Sequence, residues 1–198
     1  MTLPAIREQD APLLASHVVT AALAEALADP WQKGLPESDT DGTLIEQAWA
    51  LVSDEAPAPR GGLARGELAC ETAHGRALAR WLARPAKERA DICLRVYGLV
   101  MSRVCPPYEG EFCHWKDPTY RAHHLADAAG FYRAFGVETD PEHPERADHV
   151  AFELEFLALA QLKQAIALGE DQPRNAVLCR QARRRFVHDH AAWWMPTF

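Results

Sequence analysis

Apolar residues recur at spacings of three and four along most of this chain, and that periodicity restricts it to a helical fold. A clear example is the segment from Asp41 to Asp54, whose apolar positions are Leu44, Ile45, Ala48, Trp49 and Val52. Side chains at these spacings lie on one face of an α-helix. The sequence shows no sustained apolar–polar alternation, and no Asn-Gly or Asp-Gly pair joins two β-branched runs. The pattern therefore predicts an all-α fold.

Segments rich in proline and glycine divide the chain into about seven predicted helices, which form a bundle in one domain, residues 1–198. The predicted helices span approximately residues 11–29, 41–54, 63–82, 86–104, 118–136, 144–168 and 174–194. Asp117 is a suitable N-cap for the fifth, and Gly136 suits its end in the left-handed conformation. Regular helix is not expected from Cys105 to Pro118, because two consecutive prolines there remove backbone donors.

Charge and hydropathy exclude several classes of function. A net charge of −7 is unfavourable for a general phosphate-binding surface, so no nucleic-acid partner is expected. The basic run from Arg180 to Arg185 is interpreted as a solvated helix face. No uninterrupted apolar stretch is long enough to cross a bilayer, and the N-terminus lacks the features of an export signal. A cytoplasmic protein without stable membrane insertion is therefore predicted.

The most specific pattern lies between Tyr120 and Phe156, where two helical segments flank a polar, proline-containing connector. The first contains AAGFYRAFGV from Ala128 to Val137, and the second contains ADHVAFELEF from Ala147 to Phe156. This arrangement resembles the TorD/DmsD/NarJ family of cytoplasmic chaperones, which mature molybdenum-containing redox enzymes. In that family an aromatic helix precedes a PDH motif and an acidic ELEF helix. Here alanine replaces the proline of PDH, and Asp148 and His149 are retained.

Two further segments extend the resemblance over roughly residues 97–198. The segment YGLVMSRVCPPYEGEF, from Tyr97 to Phe112, is similar to the family's helix end followed by a proline-bearing loop. The C-terminal segment is similar to a family signature through Phe186, Asp189, His190, Trp193 or Trp194, Pro196 and Phe198. In relatives one more helix usually follows. Its absence would favour pairing between copies, so a monomer or a homodimer is expected.

The resemblance implies a groove that binds the leader peptide of a client enzyme. The peptide-binding residues carried over from the matching motifs are Tyr97, Met101, Tyr108, Glu109, Asp148, His149 and Glu153. A twin-arginine leader needs carboxylates for its guanidinium groups and an apolar groove for its hydrophobic stretch. The implied client is the precursor or apo catalytic subunit of a molybdenum-containing oxidoreductase, held during cofactor insertion and before export. The resemblance implies neither catalysis nor a cofactor bound by this chain.

A metal-dependent helical enzyme that uses His and Asp ligands is the alternative left open. His123 and Asp127 stand four residues apart, as do His149 and Glu153, and His190 is a further candidate ligand. None of these spacings reproduces the Glu-x-x-His pairs of metal sites in helical bundles. The five cysteines include no C-x-x-C pair, so they are interpreted as reduced thiols. No nucleophile elbow or nucleotide-binding glycine loop occurs.

Overall fold

A computed structural model describes residues 7–28, 41–55, 70–97, 105–113, 118–140 and 145–198, and these residues form an all-helical fold. The α-helices are α1 (Ala11–Leu27), α2 (Gly42–Glu55), α3 (Thr72–Leu82), α4 (Ala86–Tyr97), α5 (Glu109–Phe112), α6 (Pro118–Ala134), α7 (Val150–Gly169), α8 (Pro173–Phe186) and α9 (Ala192–Trp194). A π-helical turn, Val187–Ala191, joins α8 to α9. None of the helices in these ranges is both long enough and apolar enough to span a lipid bilayer.

Helix α7 lies at the centre of the fold, with α1 packed on one side and α8 on another. The buried positions of α1 are mostly alanines, which allow the backbones of neighbouring helices to approach closely; they are Ala15, Val19, Ala22 and Ala24. Helices α2 and α3 cover a further face of α1, where Ile45 and Leu82 are buried. The α1–α3 layer thus packs through α1 against α7, the helix that begins at the Asp-His motif.

A compact aromatic core supports that end. The ring centroids of Phe156 on α7 and Phe186 on α8 lie 4.6 Å apart, and Tyr132 on α6 lies 5.5 Å from Phe156. Such contacts add to the stabilisation that burial of the rings provides. Phe186 also lies 4.8 Å from the ring of His190. The aromatic core therefore fixes His190, which belongs to the polar site described below.

The predicted all-α fold is confirmed, and several predicted helix limits are corrected. Helix α7 begins at Val150 rather than near residue 144, because the residues before it form a turn and a main-chain bridge. Helix α3 begins at Thr72 rather than at residue 63, because Glu71 and His74 form a capping box. Residues 63–69 and 98–104 and the predicted cap Asp117 lie outside the described residues.

The expectation of no regular helix after Cys105 is wrong for the four residues of α5, Glu109–Phe112. The two prolines precede this helix and do not interrupt it, so the physical objection to a helix does not apply there. The predicted left-handed conformation of Gly136 is confirmed by its φ of 77°. A glycine at this position ends α6 without the steric cost that a Cβ atom would bring.

The contact between α2 and α3 depends on a second glycine. A Cβ atom on Gly75 would lie 2.6 Å from Cβ and 2.7 Å from Cγ of Trp49. We expect Gly75→Ala to lower the free energy of unfolding by about 1–3 kcal/mol, because the helices must separate to admit the methyl group. The matched control is Gly130→Ala in α6, where a Cβ atom meets nothing within 4 Å. Urea denaturation should show that this control is stabilised by up to about 1 kcal/mol; equal stability of Gly75→Ala and wild type would contradict the predicted clash.

Candidate functional site

Main-chain hydrogen bonds join the proline loop before α5 to the start of α7. Tyr108 and His149 form an isolated antiparallel bridge. The amide of Glu109 donates to the carbonyl of Asp148 at 2.9 Å, and the amide of Val150 donates to the carbonyl of Pro107 at 2.8 Å. This pairing brings two motifs that are far apart in sequence into direct contact.

Asp148 is buried at this junction and uses both carboxylate oxygens. Arg146 donates to it twice, from Nε to Oδ1 at 2.9 Å and from Nη2 to Oδ2 at 2.7 Å. The amide of Gly110 also donates to Oδ2 at 2.9 Å. A Cβ atom on Gly110 would lie 3.0 Å from Asp148 Oδ2 and from Arg146 Nη2, so the glycine keeps this approach open. Bidentate pairing of this kind fixes orientation as well as charge.

Arg146 connects Asp148 to the surface. Its guanidinium carbon lies 4.4 Å from the ring centroid of Tyr108, and its Nη1 donates to Glu111 Oε1 at 3.1 Å. Burial opposes the charge of Arg146, but the hydrogen bonds to Asp148 and Glu111 outweigh that cost and raise its pKa. Burial and the nearby Glu145 carboxylate raise the pKa of Tyr108 to about 12. Both side chains therefore hold one protonation state near neutral pH.

His149 is the N-cap of α7, and this role fixes its tautomer. Its Nδ1 accepts a hydrogen bond from the amide of Ala151 at 3.2 Å. A ring nitrogen that accepts must carry a lone pair, so the proton of the neutral ring is on Nε2. The ring packs edge-on against Tyr108, with centroids 5.2 Å apart. The Asp-His pair thus starts α7 and orders the neighbouring loop.

Glu109, a buried carboxylate on α5, contacts side chains from α6 and from the C-terminal segment. We call Glu109, His124, Asp127, His190 and Trp193 the Glu109 cluster. Glu109 is 1% exposed, and its Oε1 accepts from Trp193 Nε1 at 3.0 Å. His190 Nδ1 lies 3.0 Å from Oε2, and His124 Nδ1 lies 3.3 Å from Oε1. His190 Nε2 lies 3.2 Å from Asp127 Oδ2. Burial opposes the charge of His190, but the two carboxylates outweigh it and raise its pKa.

Glu153, one turn into α7, is fully buried. Its Oε2 accepts from Trp194 Nε1 at 3.1 Å, while its Oε1 has no hydrogen-bond partner in the part of the chain that the structure describes. Burial, followed by the charges of Glu109 and Asp148, raises the pKa of Glu153 to about 9, and the indole hydrogen bond only partly offsets this. Glu153 is therefore a neutral carboxylic acid at pH 7.

Aromatic side chains lie beside the junction; Tyr97, Phe112 and Phe198, which are half-buried, and Trp194, which is fully buried beneath them, form what we call the aromatic array. Phe198 stacks on Tyr97 with centroids 6.4 Å apart and lies 5.7 Å from Trp194. Phe112 lies 5.3 Å from Trp194. This array extends the polar junction with apolar surface, and it includes one of the predicted peptide-binding residues.

The predicted peptide-binding residues divide by their position. Five of them lie together at the α5–α7 junction: Tyr108, Glu109, Asp148, His149 and Glu153. Tyr97 belongs to the aromatic array, and Met101 lies outside the described residues. Four of the five at the junction are buried and already bonded, and only Tyr108 among them is half-exposed. A peptide that docks on this conformation can therefore contact Tyr108 directly. It can be affected by the buried carboxylates only through the residues that are bonded to them.

Sequence reasoning missed Arg146, the link between Asp148 and the surface. The only signal for it is an arginine two residues before the Asp-His pair, and nothing local shows that its side chain turns back onto Asp148. The candidate metal ligands also separate: Asp127 and His190 form a pair, whereas His123 is exposed beside them. One ligand atom each of Glu109, His124 and His190 lie within 4.8 Å of one another.

Residues 72–198 match the sequence profile of the family described as "Nitrate reductase delta subunit". The match covers more than half of the chain and every element of the site. The chain belongs to this family, and the resemblance to redox-enzyme maturation chaperones that its motifs indicate is thereby confirmed.

Several curated relatives are similar to part of the chain. The perchlorate reductase assembly chaperone protein of Dechloromonas aromatica (strain RCB) is 36% identical over 72 residues, which cover 36% of this chain and 31% of the relative. The chlorate reductase assembly chaperone protein of Ideonella dechloratans is 36% identical, and the selenate reductase assembly chaperone protein of Thauera selenatis is 35% identical. These two alignments span 74 residues, 37% of this chain and 37% of each relative. The aligned part is thus only about a third of each relative's length, and no solved structure matches the chain significantly.

Proposed function

We propose that this chain is a cytoplasmic assembly chaperone for the catalytic subunit of a molybdenum-containing oxidoreductase. It binds the leader peptide, of twin-arginine type, or another segment of the apo subunit, and holds it during cofactor insertion and before export. The observation that carries the proposal is the family match over 72–198, together with relatives that are named reductase assembly chaperones. The chaperone itself makes and breaks no bond, and it acts as a monomer or a homodimer.

The peptide site we propose is the half-buried surface around Tyr108, Glu111 and the aromatic array. Glu111 supports the recognition of arginine, because it already pairs with Arg146 at 3.1 Å and with Arg121 at 3.6 Å. A guanidinium of the leader would exchange with these partners in a charge-assisted hydrogen bond. The array offers apolar surface to the hydrophobic stretch that follows the paired arginines. Met101 stays a predicted contact.

The buried members of the predicted set have a different role in this proposal. Glu109, Asp148, His149 and Glu153 position α5 and the start of α7, and they act on the peptide through the residues that they hold. Asp148 fixes Arg146, and Arg146 in turn lies over Tyr108. Loss of a buried residue would therefore weaken peptide binding by moving the surface, and loss of Glu111 would weaken it by removing a direct contact.

The first test is recovery of the client. The tagged chain is purified from its native host, and the bound proteins are identified by mass spectrometry. We expect the catalytic subunit of a molybdenum-containing reductase. Recovery of no such subunit from cells that express the enzyme would overturn the proposed function.

The second test measures the site with the leader of the recovered subunit as a synthetic peptide. We expect Glu111→Gln to weaken peptide binding about tenfold or more, because a charge-assisted hydrogen bond contributes about 1.5–3 kcal/mol. Glu138→Gln, on an exposed residue, is the matched control. Isothermal titration with the natural peptide and with a version carrying two lysines separates charge from guanidinium geometry. Equal affinity of Glu111→Gln and wild type for the natural peptide would contradict the proposed site.

A further inference from the structure

His190 of the Glu109 cluster faces two carboxylate acceptors, one more than a neutral imidazole can donate to. Both ring nitrogens of His190 face carboxylate oxygens, Glu109 at 3.0 Å and Asp127 at 3.2 Å. A neutral imidazole carries one N–H group, so it can donate to only one of them. The other contact would bring two lone pairs together inside a buried site. One of the two contacts therefore needs a further positive partner, and a metal ion between His190 and Glu109 would supply it.

The donor set around Glu109 is the one that a zinc-like ion prefers. Glu109, His124 and His190 present a carboxylate oxygen and two imidazole nitrogens within 4.8 Å of one another. Zinc binds such ligands at about 2.0–2.2 Å with tetrahedral geometry, which places neighbouring ligand atoms about 3.4 Å apart. The distances from Glu109 oxygens to His124 Nδ1 and His190 Nδ1 are 3.3 Å and 3.0 Å. These two contacts are close to that spacing and involve different oxygens of Glu109, so side chains must turn to bring all three ligand atoms onto one ion.

Asp127 supplies a second, independent feature of a metal site. A histidine that binds a metal through one nitrogen usually donates its other N–H to a carboxylate, which orients the ring and raises its basicity. Asp127 occupies that outer position on His190 Nε2. If the Nε2 proton is held there, Nδ1 of the neutral ring directs its lone pair towards Glu109. The ring is thus oriented for coordination on the side where the other two ligands lie.

The cluster can be reached from solvent although its centre is buried. Glu109 and His190 are each 1% exposed, whereas Trp193 is 38% exposed and the Asp127 side chain is 58% exposed. The cluster thus borders the surface on its α6 and α9 side, where the side chain of the ligand His124 is itself 22% exposed. The ligands come from α5, α6 and the π-helical turn. An ion bound to all of these elements would hold the proline loop to the C-terminal segment.

We propose that Glu109, His124 and His190 form a binding site for a divalent transition-metal ion of the zinc class, with Asp127 as the outer carboxylate on His190. The site shares Glu109 with the junction that positions the proposed peptide surface, but its other ligands lie outside that surface, and the metal proposal stands whether or not this chain is a chaperone. Bound metal stabilises the native state by an amount that grows with the logarithm of the metal concentration relative to the dissociation constant.

The test uses zinc and cobalt with the full chain after removal of any histidine tag. We expect wild type to bind one zinc ion, measured by competition with a chromophoric chelator, and to melt at a higher temperature as zinc is added. His124→Ala should lose at least a hundredfold in affinity, and Asp127→Asn should lose about 10–100-fold. His123→Ala, on the exposed neighbouring residue, is the matched control and should bind as wild type does.

Cobalt distinguishes this site from one built by cysteines and keeps the test decisive if His124→Ala fails to fold. Cobalt bound by nitrogen and oxygen ligands in wild type should absorb in the visible region without a thiolate charge-transfer band. Such a band would overturn the proposal, because the ion would then be held by cysteine. The absence of zinc binding by wild type would also overturn it, since a second proton would then supply the charge at His190. Unchanged zinc affinity in a folded His124→Ala variant would also overturn the proposal, because His124 would then not be a ligand.

Discussion

We expect Asp148→Ala to lower the free energy of unfolding by about 3–5 kcal/mol, because it removes a buried carboxylate that accepts three hydrogen bonds, two of them from the charged Arg146. The substitution leaves Arg146 without its bidentate acceptor and leaves the amide of Gly110 without the bond at 2.9 Å. For a chain of this size the melting temperature should fall by roughly 6–20 °C. Circular dichroism during thermal and urea denaturation measures both quantities.

The control for Asp148→Ala is Asp91→Ala, which removes an exposed aspartate from the middle of α4. Surface substitutions of this kind change stability by about 0.5 kcal/mol or less. Asp148→Asn should fall between the two, because the amide oxygen still accepts one hydrogen bond while the charge is lost. A loss below about 1 kcal/mol in Asp148→Ala would show that the junction holds without its carboxylate.

Glu153→Gln is expected to make the protein more stable at neutral pH. The pKa of Glu153 is about 9 in the folded chain, against an ordinary value of 4.5. Between these values the folded state holds a proton that the unfolded state has released. The free energy of unfolding therefore falls as pH rises, by about 1.4 kcal/mol per pH unit from this group. At pH 7 the buried acid costs about 3 kcal/mol, and glutamine avoids this cost while its amide oxygen can still accept from Trp194.

The measurement for Glu153→Gln is urea denaturation at several values between pH 5 and pH 9. The difference between the variant and wild type should be small near pH 5 and should grow as pH rises towards 9. The pKa of Glu153 is raised by the burial of its own side chain and by the charges of Glu109 and Asp148. Glu46→Gln, on an exposed residue of α2, should run parallel to wild type. If the free energy of unfolding had the same pH dependence in Glu153→Gln and in wild type, the pKa of Glu153 would not be raised and the prediction would be wrong.

Local signals predicted the helices well where local physics decides the structure. Gly136 ends α6 because a left-handed residue is needed there, and the sequence shows this directly. The start of α7 was predicted too early, because the main chain of Asp148 and Val150 bonds across the fold to Glu109 and Pro107. Periodicity carries no information about such a long-range pair.

The motifs supplied the candidate residues of the site, but not which of them lie together or which are buried. Tyr108 and His149, which belong to two separate motifs, form a main-chain bridge. Glu109 reads in the sequence as an exposed acid on a polar loop. Its burial depends on Trp193, which lies 84 positions later in the chain. Arg146 was missed for the same reason, since only the folded turn shows that it faces Asp148.

The π-helical turn Val187–Ala191 sets the phase of the two tryptophans that follow it. The amide of Ala192 donates to the carbonyl of Val187, one residue further back than in an α-helix. Every residue after the turn is thereby rotated by about 100° from the direction it would have in an uninterrupted α-helix. Only in this phase does Trp193 reach Glu109 while Trp194 reaches Glu153. Deletion of one residue from this turn would rotate every later side chain by about 100° around the helix axis. Glu109 and Glu153 would then both lose the hydrogen bonds that the two indoles donate.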